Sequence, residues 1–166
     1  MHNKWFKSLT SLAGTGQSPP LNQTLGTAMG CIHHSAATFR LFGDELVPDE
    51  ISLLLGAEPT KAFHKGEETV GKVTGKVRVE KTGSWRLSAA RQEPENLEVQ
   101  INEILDKLTA DLAIWKSLRT RFDIDIFCGL FMASSNDGFA ISAELLAALG
   151  VRGIRLSFDI YDAQDD

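Results

Sequence analysis

Leu97, Ile101, Ile104, Leu105, Leu108, Leu112, Trp115, Leu118 and Phe122 recur every three or four residues. Helical geometry gathers them into one continuous apolar stripe, while Glu98, Glu103, Asp106, Lys107, Asp111 and Lys116 point elsewhere. The spacing predicts a helix of about seven turns from Asn96 to Arg121, packed along one surface. No other feature of the chain constrains its fold as strongly.

The segments around it change period. Thr38-Phe-Arg-Leu-Phe42 reads as a strand that stops at Gly43-Asp44. Pro48-Asp49-Glu50 opens a short helix, with proline in its first turn and two acids favoured by the helix dipole. Gly56 follows as a left-handed closing residue. Val73 to Lys81 alternates, Thr82-Gly83 turns, and Ser84 to Ser88 returns, which predicts a hairpin. Asp123 to Met132 puts Ile124, Ile126, Cys128, Leu130 and Met132 on one side of a strand. Ser142 caps a helix from Ala143 to Leu149 that Gly150 closes, and Ile154 to Tyr161 alternates strictly. The order is β-α-β-β-α-β-α-β. It predicts an α+β sandwich of the ferredoxin-like, split β-α-β kind, extended by a final helix and strand, with one sheet and helices on one face.

Charge divides the 166 residues unevenly. The net charge is −5, yet no Asp, Glu, Lys or Arg lies between Lys7 and Arg40. Thirteen of the seventeen residues from Gly14 to Gly30 are Gly, Ser, Thr, Asn, Gln or Pro, too few apolar side chains to offset the entropy of ordering. Residues 1–37 are therefore expected to be a flexible leader and residues 38–166 a single domain. Trp5, Leu9 and Leu12 share one side of a short amphipathic turn, and a frayed tail is the simpler expectation than a docking peptide. No apolar run approaches the ~18 residues of a membrane-spanning helix, nor the continuous stretch of a secretory signal, so the expected setting is cytoplasmic. The acidic balance disfavours broad attraction to nucleic acid, and two cysteines are too few for a disulfide scaffold.

The string Thr38-Phe-Arg-Leu-Phe-Gly-Asp-Glu-Leu-Val-Pro-Asp-Glu-Ile51, then Leu54-Leu-Gly-Ala-Glu-Pro-Thr-Lys61, resembles the opening of an uncharacterised, mainly bacterial family. The family is catalogued as domain of unknown function 4279. Lys65-Gly66, Lys81-Thr82-Gly83-Ser84-Trp85 and the closing Asp159-Ile160-Tyr161 continue the resemblance, over roughly Thr38 to Asp162. His64 departs from it, because similar members carry Arg or another polar residue there. The family has no established activity, so the resemblance implies a fold and no mechanism.

Few residues point to chemistry. Cys31-Ile-His33-His34 is the only local group of metal-type ligands, and without an ordered partner it predicts no metal site. Asp44, Glu45, Asp49 and Glu50 lack calcium-loop spacing and read as helix-start acids, Ser134 to Gly138 reads as a turn, and Gly71 to Gly75 is no phosphate loop. Cys128 falls on an apolar strand face with no base beside it. Neither cofactor nor catalytic residue is expected.

The stronger lead is the sheet face turned away from the helices. If Ile154, Leu156, Phe158 and Ile160 pack under the helices, then Arg155, Ser157, Asp159 and Tyr161 point the other way. The same parity places Asp125, Phe127, Phe131, Arg40, Phe42, Lys76, Arg78, Arg86 and Ser88 with them. Arginines there can grip carboxylate or phosphate, and aromatics can back them. Trp85 either lines a pocket edge with Lys61 and Phe63 or belongs to the core, which its alternation with Leu87 favours. The expected function is a non-enzymatic module that binds a protein partner or a small polar ligand, an immunity-type or accessory protein being one version. Its candidate residues are Arg40, Phe42, Lys61, Trp85, Arg86, Phe127, Arg155, Asp159 and Tyr161. A homodimer through the same face is a further expectation. The competing class is an enzyme acting on a small anionic substrate near Lys61, His64 and Arg86.

Overall fold

The computed structural model describes residues 30–71, 73 and 75–163. The docking turn expected around Trp5 lies outside the described residues, as does most of the expected leader. In chain order the elements are β1 (Gly30–Cys31), β2 (His34–Gly43), α1 (Pro48–Leu55), β3 (Lys61–Phe63), β4 (Glu68–Val70), β5 (Val77–Val79) and β6 (Gly83–Ser88). There follow α2 (Leu97–Lys107), α3 (Leu112–Arg121), β7 (Asp123–Phe131), β8 (Asp137–Gly138), α4 (Ala143–Arg152) and β9 (Arg155–Tyr161).

Five strands form the main sheet in the order β3-β6-β2-β7-β9. The first four pair antiparallel, and β9 pairs parallel to β7. The fold is thus a mixed α and β structure. The β2-α1-β3 unit has β6 between its two strands, and α4 is the crossover that lets β9 run parallel to β7. Two short ribbons, β4-β5 and β1-β8, stand outside the main sheet.

The core lies on one side of this sheet. In β2 Ser35, Ala37, Phe39 and Leu41 are buried while the intervening residues are only partly covered. Phe39 meets Trp85 and Trp115 edge to face, at ring separations of 6.0 and 5.7 Å. Both indole nitrogens find acceptors, Ser52 Oγ at 3.0 Å and the Thr109 carbonyl at 2.8 Å. A buried polar contact fixes α2 to β2: Ser35 Oγ donates to Gln100 Oε1, and Gln100 Nε2 donates to the Ser35 and Ala90 carbonyls. Gly83 is buried where a Cβ would lie 2.8 Å from the Gly43 carbonyl and 2.9 Å from Leu46 Cβ. That close approach is the physical reason for glycine in the Lys-Thr-Gly-x-Trp segment.

Several boundaries differ from the sequence expectation. The long helix is two helices. Leu108 turns extended (φ −101°, ψ 153°), Thr109 donates its N–H to the Leu55 carbonyl, and Asp111 Oδ1 caps α3 by accepting from Ala113. The stripe survives the break except at Leu112, which is half exposed. The hairpin expected from Val73 to Ser88 does not form. β5 pairs with β4 in its own ribbon, with Val73, Val77 and Val79 exposed, and β6 pairs with β2 and β3. β2 begins at His34, four residues ahead of the expected strand start at Thr38, and Ile32 before it is buried. The last helix runs past Gly150 and is closed by Gly153 at φ 70°. Finally, Ile154 is buried and Leu156 packs on the core, but Phe158 and Ile160 are exposed on β9, the outer strand of the sheet.

Candidate functional site

On the side of the sheet away from the core, register brings one residue from each strand into a single row. Lys61, Arg86, Arg40, Asp125 and Arg155 stand side by side across β3, β6, β2, β7 and β9. Four cations therefore flank one carboxylate. Neighbouring rows supply Phe42 and Phe63 on one side, and Thr38, Ser88, Phe127 and Ser157 on the other.

The middle of the row is saturated. Arg40 donates Nε to Asp125 Oδ1 at 2.8 Å and Nη2 to Oδ2 at 2.6 Å, a planar two-bond pairing. Its guanidinium lies 4.3 Å from the Phe127 ring centroid and 5.4 Å from that of Phe42. Ser157 Oγ donates to Asp125 Oδ2 at 2.9 Å, and Arg155 Nη2 stands 3.7 Å from the same oxygen. The Asp125 side chain is only 4% exposed. Burial pushes its carboxyl upward, but the bonds from Arg40 and Ser157 and the charges of Arg40 and Arg155 outweigh that. The net result is a carboxyl below the ordinary range.

The β3-β6 end differs. Arg86 lies over Phe42 at 5.5 Å, and its Nε is buried with no acceptor among the described residues. Lys61, across the strand, rests its ammonium 4.8 Å from the Phe63 ring and is otherwise exposed. A groove of about 810 Å³ opens between β3 and the β4-β5 ribbon, with Lys61 and Phe63 on one wall and Val77 and Arg78 on the other.

Six of the residues singled out from sequence thus converge: Arg40, Phe42, Lys61, Arg86, Phe127 and Arg155. Asp159 and Tyr161 share the face at its far end, where Tyr161 donates its hydroxyl to Asp159 Oδ2 at 2.6 Å. That bond, with some desolvation, pushes the phenol upward. Trp85 does not join them. It is fully buried on the opposite side, so its place is structural. Lys76 and Arg78 also leave the face, since the stretch carrying them belongs to the ribbon. Lys65 pairs with Asp44, and the His64 backbone N–H donates to Glu67 Oε2, with the His64 side chain exposed. Cys128 is buried, and its thiol is pushed up to about 12 by desolvation and by the charge of Asp125. A thiol held there is no nucleophile.

Sequence parity finds the face but not the match of Arg40 to Asp125, which needs the β2-β7 register. It also misses a meeting of His33, His34 and Glu93 at the other end of β2, because Glu93 arrives from a distant loop.

Among the described residues no helix is long and apolar enough to cross a membrane. A family model described as Domain of unknown function (DUF4279) matches residues 32–163. No curated protein and no solved structure matches.

Proposed function

We propose, from the premise that the chain belongs to the DUF4279 family, that it is a non-enzymatic binding module. Its polar sheet face takes an anionic group of its partner between Lys61 and Arg86. One observation carries this reading: the buried Arg86 Nε lacks an acceptor among the described residues, while the Nε of its cross-strand neighbour Arg40 donates to Asp125. An unmatched buried donor costs about 1–3 kcal/mol, and more when charged. Arg86 as a whole is only part-buried, so a carboxylate or phosphate oxygen can meet its guanidinium, and the adjacent Lys61 adds charge.

The strand order supports the same reading. It suits a split β-α-β, ferredoxin-like core with β9 added beyond β7, a design whose antiparallel face can stay open to partners. Phe42 and Phe63 form an apolar floor beside the two cations. An enzyme built on Lys61, His64 and Arg86 draws less support, because the neighbouring Lys65 ammonium is taken up by Asp44.

Titration of the full chain with a hexaglutamate peptide, and separately with tripolyphosphate, tests the reading by calorimetry at low salt. Saturable binding that Arg86→Ala weakens at least tenfold, and Lys116→Ala, at an exposed position of α3, leaves unchanged, is expected. Binding insensitive to Arg86→Ala rejects it. Sedimentation of the unliganded chain separates the other occupant, a second copy on the same face.

A further inference from the structure

At the other end of β2, three ligand-type side chains meet that the anion site does not use. His34 opens β2 on the same face as Arg40, and His33 precedes it in a bend. Their Nδ1 atoms are 2.8 Å apart. His33 Nε2 lies 3.4 Å from Glu93 Oε1. One ligand atom from each of the three falls within 4.8 Å of the others.

Two of the three are held in place by their surroundings. The His34 ring stacks on Phe131 at 4.0 Å and 16°, and Phe131 stacks on Tyr161 at 4.5 Å and 9°. Glu93 sits in the loop between β6 and α2. Backbone bonds between Ser35 and Gln92, 3.1 and 3.3 Å long, pin that loop to β2. Arg91 Nη2 donates to Glu93 Oε2 at 3.0 Å, which leaves Oε1 turned to His33. A carboxylate oriented through its second oxygen is the usual support of a metal ligand. His33 is half exposed and can rotate. The two histidines also wall a cleft of about 360 Å³, with Met132 and Asp162 across from them, so a further ligand has room.

We propose that His33, His34 and Glu93 bind a divalent transition-metal ion of the imidazole-preferring class, zinc above all. Two neutral imidazoles and one carboxylate make a three-ligand set with an open position, a combination suited to zinc, copper or nickel and not to calcium or magnesium. Tetrahedral bonds of about 2.0–2.1 Å set ligand atoms roughly 3.3 Å apart. His33 offers the ion one ring nitrogen; the two Nδ1 atoms, at 2.8 Å, and the three ligand atoms together, within 4.8 Å, reach that separation by a turn of the exposed His33 ring. The ion replaces a contact between two imidazoles in which only one can donate. Arg91 opposes the ion by charge while it aims Glu93. A site of moderate affinity follows, not a structural one on which folding depends.

The test uses the full chain free of any histidine tag, titrated with zinc chloride by calorimetry and with cobalt by its visible absorption. One equivalent is expected to bind, with cobalt bands of tetrahedral intensity. His33→Ala and Glu93→Gln are each expected to weaken zinc at least tenfold, with circular dichroism unchanged. His64→Ala, an exposed histidine elsewhere, is expected to change nothing. Cys31→Ser separates a thiolate contribution, because thiolate binding adds a charge-transfer band that this variant removes. No saturable binding overturns the proposal, and so does zinc affinity that survives both His33→Ala and Glu93→Gln. Neither outcome touches the anion site, whose probes and variants are different.

Discussion

Arg40 and Arg86 are cross-strand neighbours on one sheet face, and both stack against Phe42. Arg40 meets a carboxylate fork across β7. Arg86 meets Lys61 across β3, a second cation. The same residue type one strand apart therefore has two fates. Where register supplies an acid, arginine closes the sheet electrostatically and becomes part of the fold. Where it supplies another base, arginine keeps a donor without an acceptor among the described residues, which is the basis of the proposed anion site.

The largest effect expected from this difference is on stability. Arg40→Ala strands Asp125, a nearly fully buried charge, and is expected to cost about 3–5 kcal/mol in urea unfolding. Arg86→Ala removes no acceptor's partner among the described residues and is expected to cost about 1 kcal/mol or less. If the two variants unfold alike, the division of the row is wrong.

Binding should reverse the ranking. At equal folding, Arg86→Ala is expected to lower hexaglutamate affinity at least tenfold, about 1.4 kcal/mol. Arg155→Ala, at the exposed edge of the saturated half, is expected to lower it by less than half that energy.

A third test uses pH. The Asp125 carboxyl is held below its ordinary range, so its contribution is fully present above the unfolded value near 3.8. That contribution is lost as pH falls through the lower folded value. Asp125→Asn is therefore expected to be less stable than the parent at neutral pH, with the gap narrowing through acid pH. Arg86→Ala is expected to track the parent throughout, since no carboxylate depends on it among the described residues.

The smallest effect concerns Cys128, which underlies the saturated half. In a Cys31→Ser background its thiol, pushed up to about 12, is expected to resist an aqueous thiol reagent until the chain unfolds. Labelling at the native rate of an exposed thiol would show that this half opens readily.

What sequence reveals divides along the same physical lines. Parity along β2, β7 and β9 assigns Arg40, Phe127 and Arg155 to one face, because a two-residue period belongs to each strand by itself. Partnership is a property of register between strands 85 residues apart, so the match of Arg40 to Asp125 is invisible until the sheet is assembled. The apolar stripe from Leu97 to Phe122 is legible, but its break at Leu108 is not, because the stripe resumes in phase after Asp111 caps a new helix. The valines from Val73 to Val79 mislead for the opposite reason: their alternation belongs to an exposed ribbon with no core to face. Glu93 meets His33 only because bonds between Gln92 and Ser35 bring its loop to β2, and nothing local in the sequence records that.

The contrast between the two arginines can be read directly from their Nε–H resonances by nuclear magnetic resonance, with hexaglutamate added in steps. The Arg40 signal is expected to exchange slowly with water and stay in place, held by Asp125. The Arg86 signal is expected to shift progressively and saturate with the peptide. An Arg86 signal that stays fixed while the peptide binds elsewhere, or an Arg40 signal that moves as far, contradicts the account.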